Sequence, residues 1–243
     1  MQPLMKRIKR FAAKFGSTPF HPQWFALRNQ KHTRDFVQRH AKGTVLDIGC
    51  AGKISANYLS RNCYYIGLDY FQTSRDWYET RPDVYGDAQR LPIASGKVDT
   101  VLLLDVLEHL PGPGPCIAEI SRVLSRQGKL IMQVPFIYPI HDAPLDFHRW
   151  TAHGLIELGK KHGFKVEIIN ETGEPLETAA LLTNIAASKT MLNWIRQKNP
   201  AALLVVFLPF LVLAINIMAW LFCRIAPTES MMPISYRLLL GRE

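Results

Sequence analysis

A chain of 243 residues can bury one good core and carry a small appendage. Its net charge of +9 is confined to residues 1–42, where ten Lys and Arg stand against the single acid Asp35; this excludes a basic surface spread over the whole molecule and leaves a basic N-terminal arm suited to anionic lipid or nucleic acid. Four scattered cysteines (Cys50, Cys63, Cys116, Cys223) without CxxC or metal-type spacing exclude a disulfide framework and fit a reducing cytosolic compartment, and the N-terminus lacks the continuous apolar core of a secretory signal.

Within the arm, residues 3–15 place Leu4, Ile8, Phe11 and Phe15 at i, i+4, i+7 and i+11 among lysines and arginines. That is the pattern of a basic amphipathic helix, which can lie at a membrane interface or pack on the domain. From residue 44 strands alternate with helices. "TVLDIG" (44–49), "YYIGLDY" (64–70), "DTVLLLDVL" (99–107) and "GKLIMQVPF" (128–136) read as buried strands. Residues 115–126 read as a helix with Ile117, Ile120, Val123 and Leu124 on one face, Pro115 in its first turn and Gly128 after its end. A second helix is predicted over 151–162 with Thr151 as N-cap, then a strand at "FKVEIIN" (164–170). This alternation predicts an α/β fold with a mostly parallel, doubly wound sheet. Residues 201–223 carry no charge and are long enough for a bilayer's hydrocarbon core, with a kink expected at Pro209. A last strand, "ISYRLLLG" (234–241), follows. The chain thus divides into a basic amphipathic arm (1–40), a nucleotide-binding core (41–175), an amphipathic and hydrophobic membrane-associated helical segment (176–230) and a C-terminal strand returning to the core (231–243).

A strand ending in Asp47, a tight small-residue loop and a helix open a nucleotide-binding βαβ unit, in which Gly49 lets backbone approach ligand and Ala51 adds only a methyl. Asp69 closes the next strand 22 residues later, a spacing that suits a carboxylate on two ribose hydroxyls. "DIGCAGK" lacks GxGxxG spacing and puts Asp47 where a pyrophosphate would approach. A carboxylate there favours a cationic cofactor.

The stretches "VLDIGCAGK", "YIGLDY", "GDAQRLPIASGKVDTVLLLDVLEHL", "EISRVLSRQGKLIMQVPF" and "HGLIELGKKHGF" together resemble a class I S-adenosylmethionine-dependent methyltransferase of the type 11 small-molecule branch, over residues 40–170. The resemblance implies a Rossmann-like class I methyltransferase fold with S-adenosylmethionine as cofactor, here with a basic N-terminal helix and a hydrophobic C-terminal helical insertion. It implies that the Asp47–Gly52 loop (Asp47, Gly49, Ala51, Gly52) holds the methionine moiety and that Asp69, with Tyr70 beside it, binds the ribose. Asp87 would meet the adenine amino group with Ala88 offering backbone, and Asp105 would stand beside the reactive methyl. Ala51 and Lys53 depart from the family's usual glycines.

"DVLEHL" sets Asp105, Glu108 and His109 just past a strand end and resembles a stretch of quinone-type O-methyltransferases. Three readings stand: Glu108 and His109 orient the following loop, His109 is a general base, or the three acidic and imidazole groups converge on a hard cation. No metal is assigned. "HDAPLDFHRWT" (141–151) resembles the "HxxPxDYxRxT" segment of methyltransferases of glycan and lipid-glycan pathways. There His141 is an alternate base, and Arg149 either clamps a phosphate or carboxylate or pairs with Asp146. The catalytic candidates are therefore His109, Glu108, His141 and Arg149.

If "ISYRLLLG" joins the sheet beside "FKVEIIN", a single membrane crossing between them would leave it on the wrong side. Lys189, Arg196 and Lys198 before the apolar stretch and Arg224, Arg237 and Arg242 after it agree with two cytoplasmic ends. The expectation is a re-entrant or interfacial helix attaching the protein, peripherally or monotopically, to the cytoplasmic face of the cell membrane. The alternatives are a true anchor and a homodimer interface. The expected activity is O-methylation of a small or lipid-linked acceptor, a glycan, lipid-linked saccharide or quinone-like lipid. A catalytically silent binding module at the membrane is the rival, and the arm's apolar face and lack of repeated stacking aromatics weigh against nucleic acid.

Overall fold

The structure, a computed structural model, describes residues 15–226, 229 and 231–243. The amphipathic helix expected over 3–15 lies, up to residue 14, outside the described residues. The chain divides into two compact units. The larger runs through His32–Phe136, Ile140–Glu171 and Ser235–Glu243, and the smaller takes the residues up to Lys31, Ile137–Pro139 and Thr172–Ile234.

In the larger unit, seven strands among the described residues form one sheet: β1 (Thr44–Ile48), β2 (Tyr64–Asp69), β3 (Val84–Tyr85), β4 (Val98–Leu104), β5 (Leu124–Pro135), β6 (Phe164–Thr172) and β7 (Ser235–Arg242). Their order is β3-β2-β1-β4-β5-β7-β6. β1 pairs in parallel with β2 and β4, β4 in parallel with β5, and β7 enters antiparallel against β5 from Lys129↔Gly241 to Pro135↔Ser235. Successive side chains of the central strands bury on opposite faces. Leu46, Ile48, Leu103, Leu130, Met132 and Leu238 join one apolar cluster, and Val45, Leu102, Ile131 and Leu239 join the other. Covered on both faces, the strands read as unbroken apolar runs instead of alternating ones.

The first cluster is closed by α2 (Pro113–Val123), through Cys116, Ile117, Ile120 and Val123, and by Leu155 of α3 (Ala152–Lys161). Thr151 caps α3 by accepting from the Gly154 N–H at 3.2 Å, as expected. α2 ends before the residue 126 that its periodicity predicts. Leu124 is fully buried, already extended and paired with Val98, and the register shift before Thr100 absorbs the extra residues up to Gly128. The second cluster includes Phe36 and Val37 of α1 (Trp24–His40), and Ala41 after it. The core therefore takes in residues before 41, because the apolar face of α1 is masked in the sequence by its basic neighbours.

The smaller unit contains α4 (Pro175–Arg196), a 3₁₀ segment (Pro200–Phe207) and α5 (Leu208–Ile225). Phe25, Ala180, Leu181, Ile185, Ala219 and Ile234 form its core. Pro209 sits in the first turn of α5, where a missing N–H leaves nothing unpaired, so it marks the 3₁₀–α junction and not the interior of one helix. Val212, Asn216 and Ala219, at i, i+4 and i+7, are the buried face of α5. Asn216 accepts from Asn184 Nδ2 at 2.8 Å and donates to the carbonyls of Pro19 (2.8 Å) and His21 (3.2 Å). The remaining faces leave Leu203, Val206, Phe210, Met218, Phe222 and Ile225 exposed. The segment is long and apolar enough to cross a membrane by length and composition. β6 and β7 lie side by side in one sheet, as expected, so the chain between them leaves the sheet and comes back to it.

Candidate cofactor and acceptor site

β1 delivers Asp47 and the loop behind it to the carboxyl edge of the sheet, the edge where open α/β sheets bind ligands. Gly49 has φ +74°, and a Cβ there would lie 2.4 Å from Val106 Cγ2, so only glycine fits. The N–H groups of Gly49 and Cys50 both donate to the Leu68 carbonyl, at 2.8 and 3.1 Å. Ala51 (φ +41°) and Lys53 (φ +56°) also occupy the left-handed region, which places side-chain-bearing residues where glycine is at ease. A Cβ on Gly52 would meet open space. The Ala51 N–H donates to Asp69 Oδ2 at 2.8 Å, while Asp69 Oδ1 accepts from the Tyr70 N–H (2.7 Å) and the Thr73 hydroxyl (3.1 Å). Lys53 extends to Asp83 at 2.6 Å.

Asp47 is buried beneath this loop and accepts from the hydroxyls of Ser55 and, at 2.7 Å, Tyr65. Burial raises its pKa to about 6; the two hydroxyls oppose the rise and the Asp69 charge adds to it. Burial, followed by the Asp47 and Asp69 charges, pushes the Cys50 thiol to about 12. Two acids thus share a small space whose lysine is already engaged elsewhere, a setting that favours a cationic ligand. Both oxygens of Asp69 serve the loop's own donors, which leaves about one of a carboxylate's four acceptor sites for a ribose hydroxyl. Tyr70 is exposed beside it, and exposed Asp87 accepts from the Gln89 N–H at 2.8 Å, ordering the turn that presents Ala88. S-adenosylmethionine fits these residues: a glycine-dependent close approach, nothing within 4 Å of a Cβ on Gly52, and two buried acids that suit its cationic end.

Asp105 ends β4 with φ +55° and accepts from Gln133 Nε2 at 2.8 Å. Gln133 Oε1 accepts from Thr33 Oγ1 (2.7 Å), which accepts from Arg237 Nη2 (2.9 Å). Asp105 is reachable by solvent, yet desolvation by the protein around it raises it to about 6 against the pull of Gln133, His109 and Arg237. Burial lowers Arg237 to about 10, and its guanidinium lies 5.7 Å from the Phe36 ring. Sequence reasoning missed this relay of Thr33, Gln133 and Arg237. Its one visible trace is a lone basic residue inside the apolar run "ISYRLLLG". Since Arg237 is buried, it does not count among the positive flanks of the apolar stretch.

Glu108 and His109 lie on the 3₁₀ turn Leu107–His109, and the 141–149 loop is fastened to that turn. The N–H groups of Phe147 and His148 donate to the Glu108 carbonyl at 2.9 and 3.2 Å, and His109 Nδ1 lies 2.6 Å from the Leu145 carbonyl. Arg149 grips both oxygens of Asp146 at 2.6 and 2.7 Å, and the His141 N–H donates to the same carboxylate at 2.9 Å. The guanidinium holds Asp146 well below the usual carboxylate range. Of the two readings of Arg149, the internal pair is the one present: it orders the loop that carries His141. Glu108 is 0% exposed, and neither carboxylate oxygen has a hydrogen-bond partner among the described residues. Burial, then the Asp105 charge, raises its pKa to about 8. The His109 and His141 rings meet edge to face at 4.9 Å. Glu108, His109 and His141 therefore converge, and Arg149 acts on them through Asp146.

Residues 46–132 match the methyltransferase domain family described as Methyltransf_11. Among curated proteins, the chain is 31% identical to a "probable S-adenosylmethionine-dependent methyltransferase" of Mycolicibacterium smegmatis, over 59% of this chain and 60% of that one. It is 33% identical to an uncharacterized chloroplastic methyltransferase of Arabidopsis thaliana, over 43% of this chain and 33% of that one. The chain thus spans about three fifths and one third of these relatives. Among solved structures, the cyclase SpnF matches with TM-score 0.58 at 16% identity, covering 89% of this chain and 81% of that one. The YcgJ protein of Bacillus subtilis matches with TM-score 0.51 at 14% identity, covering 88% and 98%.

Proposed function

We propose that this chain, which carries a class I methyltransferase domain, uses S-adenosylmethionine to methylate a hydroxyl of a glycan, lipid-linked saccharide or quinone-like lipid at the cytoplasmic face of a membrane. The observation that carries the reading is the juxtaposition, along one sheet edge, of the Asp47–Gly52 loop over two buried acids and of the Glu108, His109 and His141 group beyond Asp105. S-adenosylmethionine supplies an activated methyl group when bound. The loop's backbone and Asp47 bind and orient its cationic end, and Asp69 and Asp87 stand ready for ribose and adenine. The acceptor hydroxyl must lose a proton as it is methylated, and the imidazole pair of His109 and His141 receives it. Asp105, steadied through Gln133, Thr33 and Arg237, lines the wall between the two.

Attachment to lipid is supported by the exposed apolar faces of Pro200–Ile225, where Leu203 is 83% and Ile225 78% exposed. Because the segment starts and ends at neighbouring strands of one sheet, monotopic seating accounts for it better than a single crossing. A second reading, a binding module of this fold without methyl transfer, draws on Ala51 in a left-handed conformation and on the internal donors that occupy Asp69; the fold itself also serves a cyclase, SpnF.

The test is incubation of the purified full-length chain with methyl-tritiated S-adenosylmethionine and a total lipid extract. The reading expects label in the organic phase, with kcat reduced about 10²- to 10⁴-fold by His109→Ala. Label confined to water-soluble acceptors would remove the lipid part of the proposal, and absence of transfer to either would favour the binding module.

A further inference from the structure

The Glu108 carboxyl group is completely buried, both of its oxygens lack hydrogen-bond partners among the described residues, and the methyl-transfer reading gives it no role. What faces it is imidazole nitrogen. His109 Nε2 and His141 Nε2 each lie 3.8 Å from Glu108 Oε1. The orientation of each ring follows from its other nitrogen. His109 Nδ1 is 2.6 Å from the Leu145 carbonyl, an oxygen that can only accept, so Nδ1 carries the proton and Nε2 presents a lone pair toward Glu108. His141 Nδ1 is 3.3 Å from Asp146 Oδ2, a carboxylate held ionised by the Arg149 fork, which fixes the same tautomer. One Glu108 oxygen and the Nε2 atoms of both rings therefore face one another across gaps too long for a hydrogen bond.

We propose that Glu108, His109 and His141 form a site for a divalent cation, with Zn²⁺ as the ion that fits this donor set. The three ligand atoms lie within 4.8 Å of one another. Two imidazoles and one carboxylate with a further position open is the donor set of catalytic zinc. A tetrahedral ion with bonds of about 2.0–2.1 Å wants its ligand atoms about 3.4 Å apart, so loading draws both rings inward from 3.8 Å. The supports behind the rings, a backbone carbonyl for His109 and an Arg-fixed carboxylate for His141, are the kind that orient metal-bound imidazoles. Asp105, three residues before Glu108, is not among the three converging groups, and its Oδ2 accepts from Gln133 instead. His141, from the loop fastened over the turn, is the third of them. In the loaded site the imidazoles are ligands and no longer receive the proton as they do in the metal-free site; a hydroxyl in the open position loses its proton to water more readily. That last role rests on the proposed methyl transfer; the cation site does not.

The test needs neither cofactor nor acceptor. Chelator-treated full-length protein is titrated with Zn²⁺ alone by calorimetry, and with Co²⁺ while visible absorption reports the coordination geometry. One equivalent should bind with a four-coordinate cobalt spectrum, and Zn²⁺ should raise the unfolding temperature. Glu108→Gln, which keeps the shape and removes the buried charge, should remain folded by circular dichroism and lose binding at least about tenfold. Asp146→Asn, which removes only the support behind His141, should weaken it about 10- to 100-fold. No saturable binding by the intact protein, or binding unchanged in Glu108→Gln, would overturn the proposal while leaving methyl transfer to be judged by its own assay.

Discussion

Asp47 is placed at a cost to the ligand-free chain. An acid whose pKa rises from about 3.9 unfolded to about 6 folded binds its proton more tightly in the native state. Its contribution to stability is therefore fully present below about pH 4 and lost as pH rises through about 6, a loss on the order of 3 kcal/mol. The two hydroxyl donors soften this penalty without removing it. Asp47→Asn should raise the unfolding temperature of the ligand-free chain at pH 7.5, by less than the full amount because the new amide needs partners, and the advantage should shrink toward pH 4. A variant-minus-parent difference that stays flat from pH 4 to pH 7.5 would show that the ionised carboxylate carries no penalty. Thermal unfolding across that range reads the answer directly. Ala51 and Lys53 belong to the same account: the loop holds left-handed backbone at two residues with side chains, and the hydrogen bond from Ala51 to Asp69 helps keep it there.

The elements that carry the cofactor loop were legible because their signals are local. β1, β2 and β4 are apolar runs bounded by turn residues, and Thr151 announces the start of α3. The end of α2 was not legible, since it is decided by the pairing of Leu124 with Val98, a tertiary contact that no window of sequence contains. α5 is the clearest case of partial legibility. Its composition shows an apolar helix; its partner does not appear until Asn216 is seen joined to Asn184 and to two backbone carbonyls. That amide fixes which face turns inward. Asn216→Ala leaves these groups unsatisfied and should destabilise the protein by roughly 2–4 kcal/mol, seen as a lowered unfolding temperature of the intact chain. An unchanged transition would mean that the buried amide network does not hold α5 in place.

At the scale of the whole molecule, the mostly parallel, doubly wound sheet followed from strand–helix alternation and from the resemblance of the quoted segments to class I methyltransferases. The acceptor side was legible only as residue types. Glu108, His109 and His141 were visible as chemistry, but their convergence depends on the 141–149 loop being fastened to the turn at 107–109 by backbone bonds. The choice between Arg149 as an anion clamp and as a partner of Asp146 needed coordinates. Thr33, Gln133 and Arg237 come together from three distant parts of the chain, so spacing could not reveal them.

The central claim is that the Asp47–Gly52 loop holds S-adenosylmethionine, and calorimetric titration of that cofactor into the intact chain and into Gly52→Phe tests it most directly. A Cβ at Gly52 meets nothing within 4 Å, so the substitution enters the site from a position that has room for a side chain. The account predicts saturable binding by the intact chain and at least about tenfold weaker binding by the variant, at unchanged unfolding temperature. No binding by the intact chain, or equal binding by both, would contradict it.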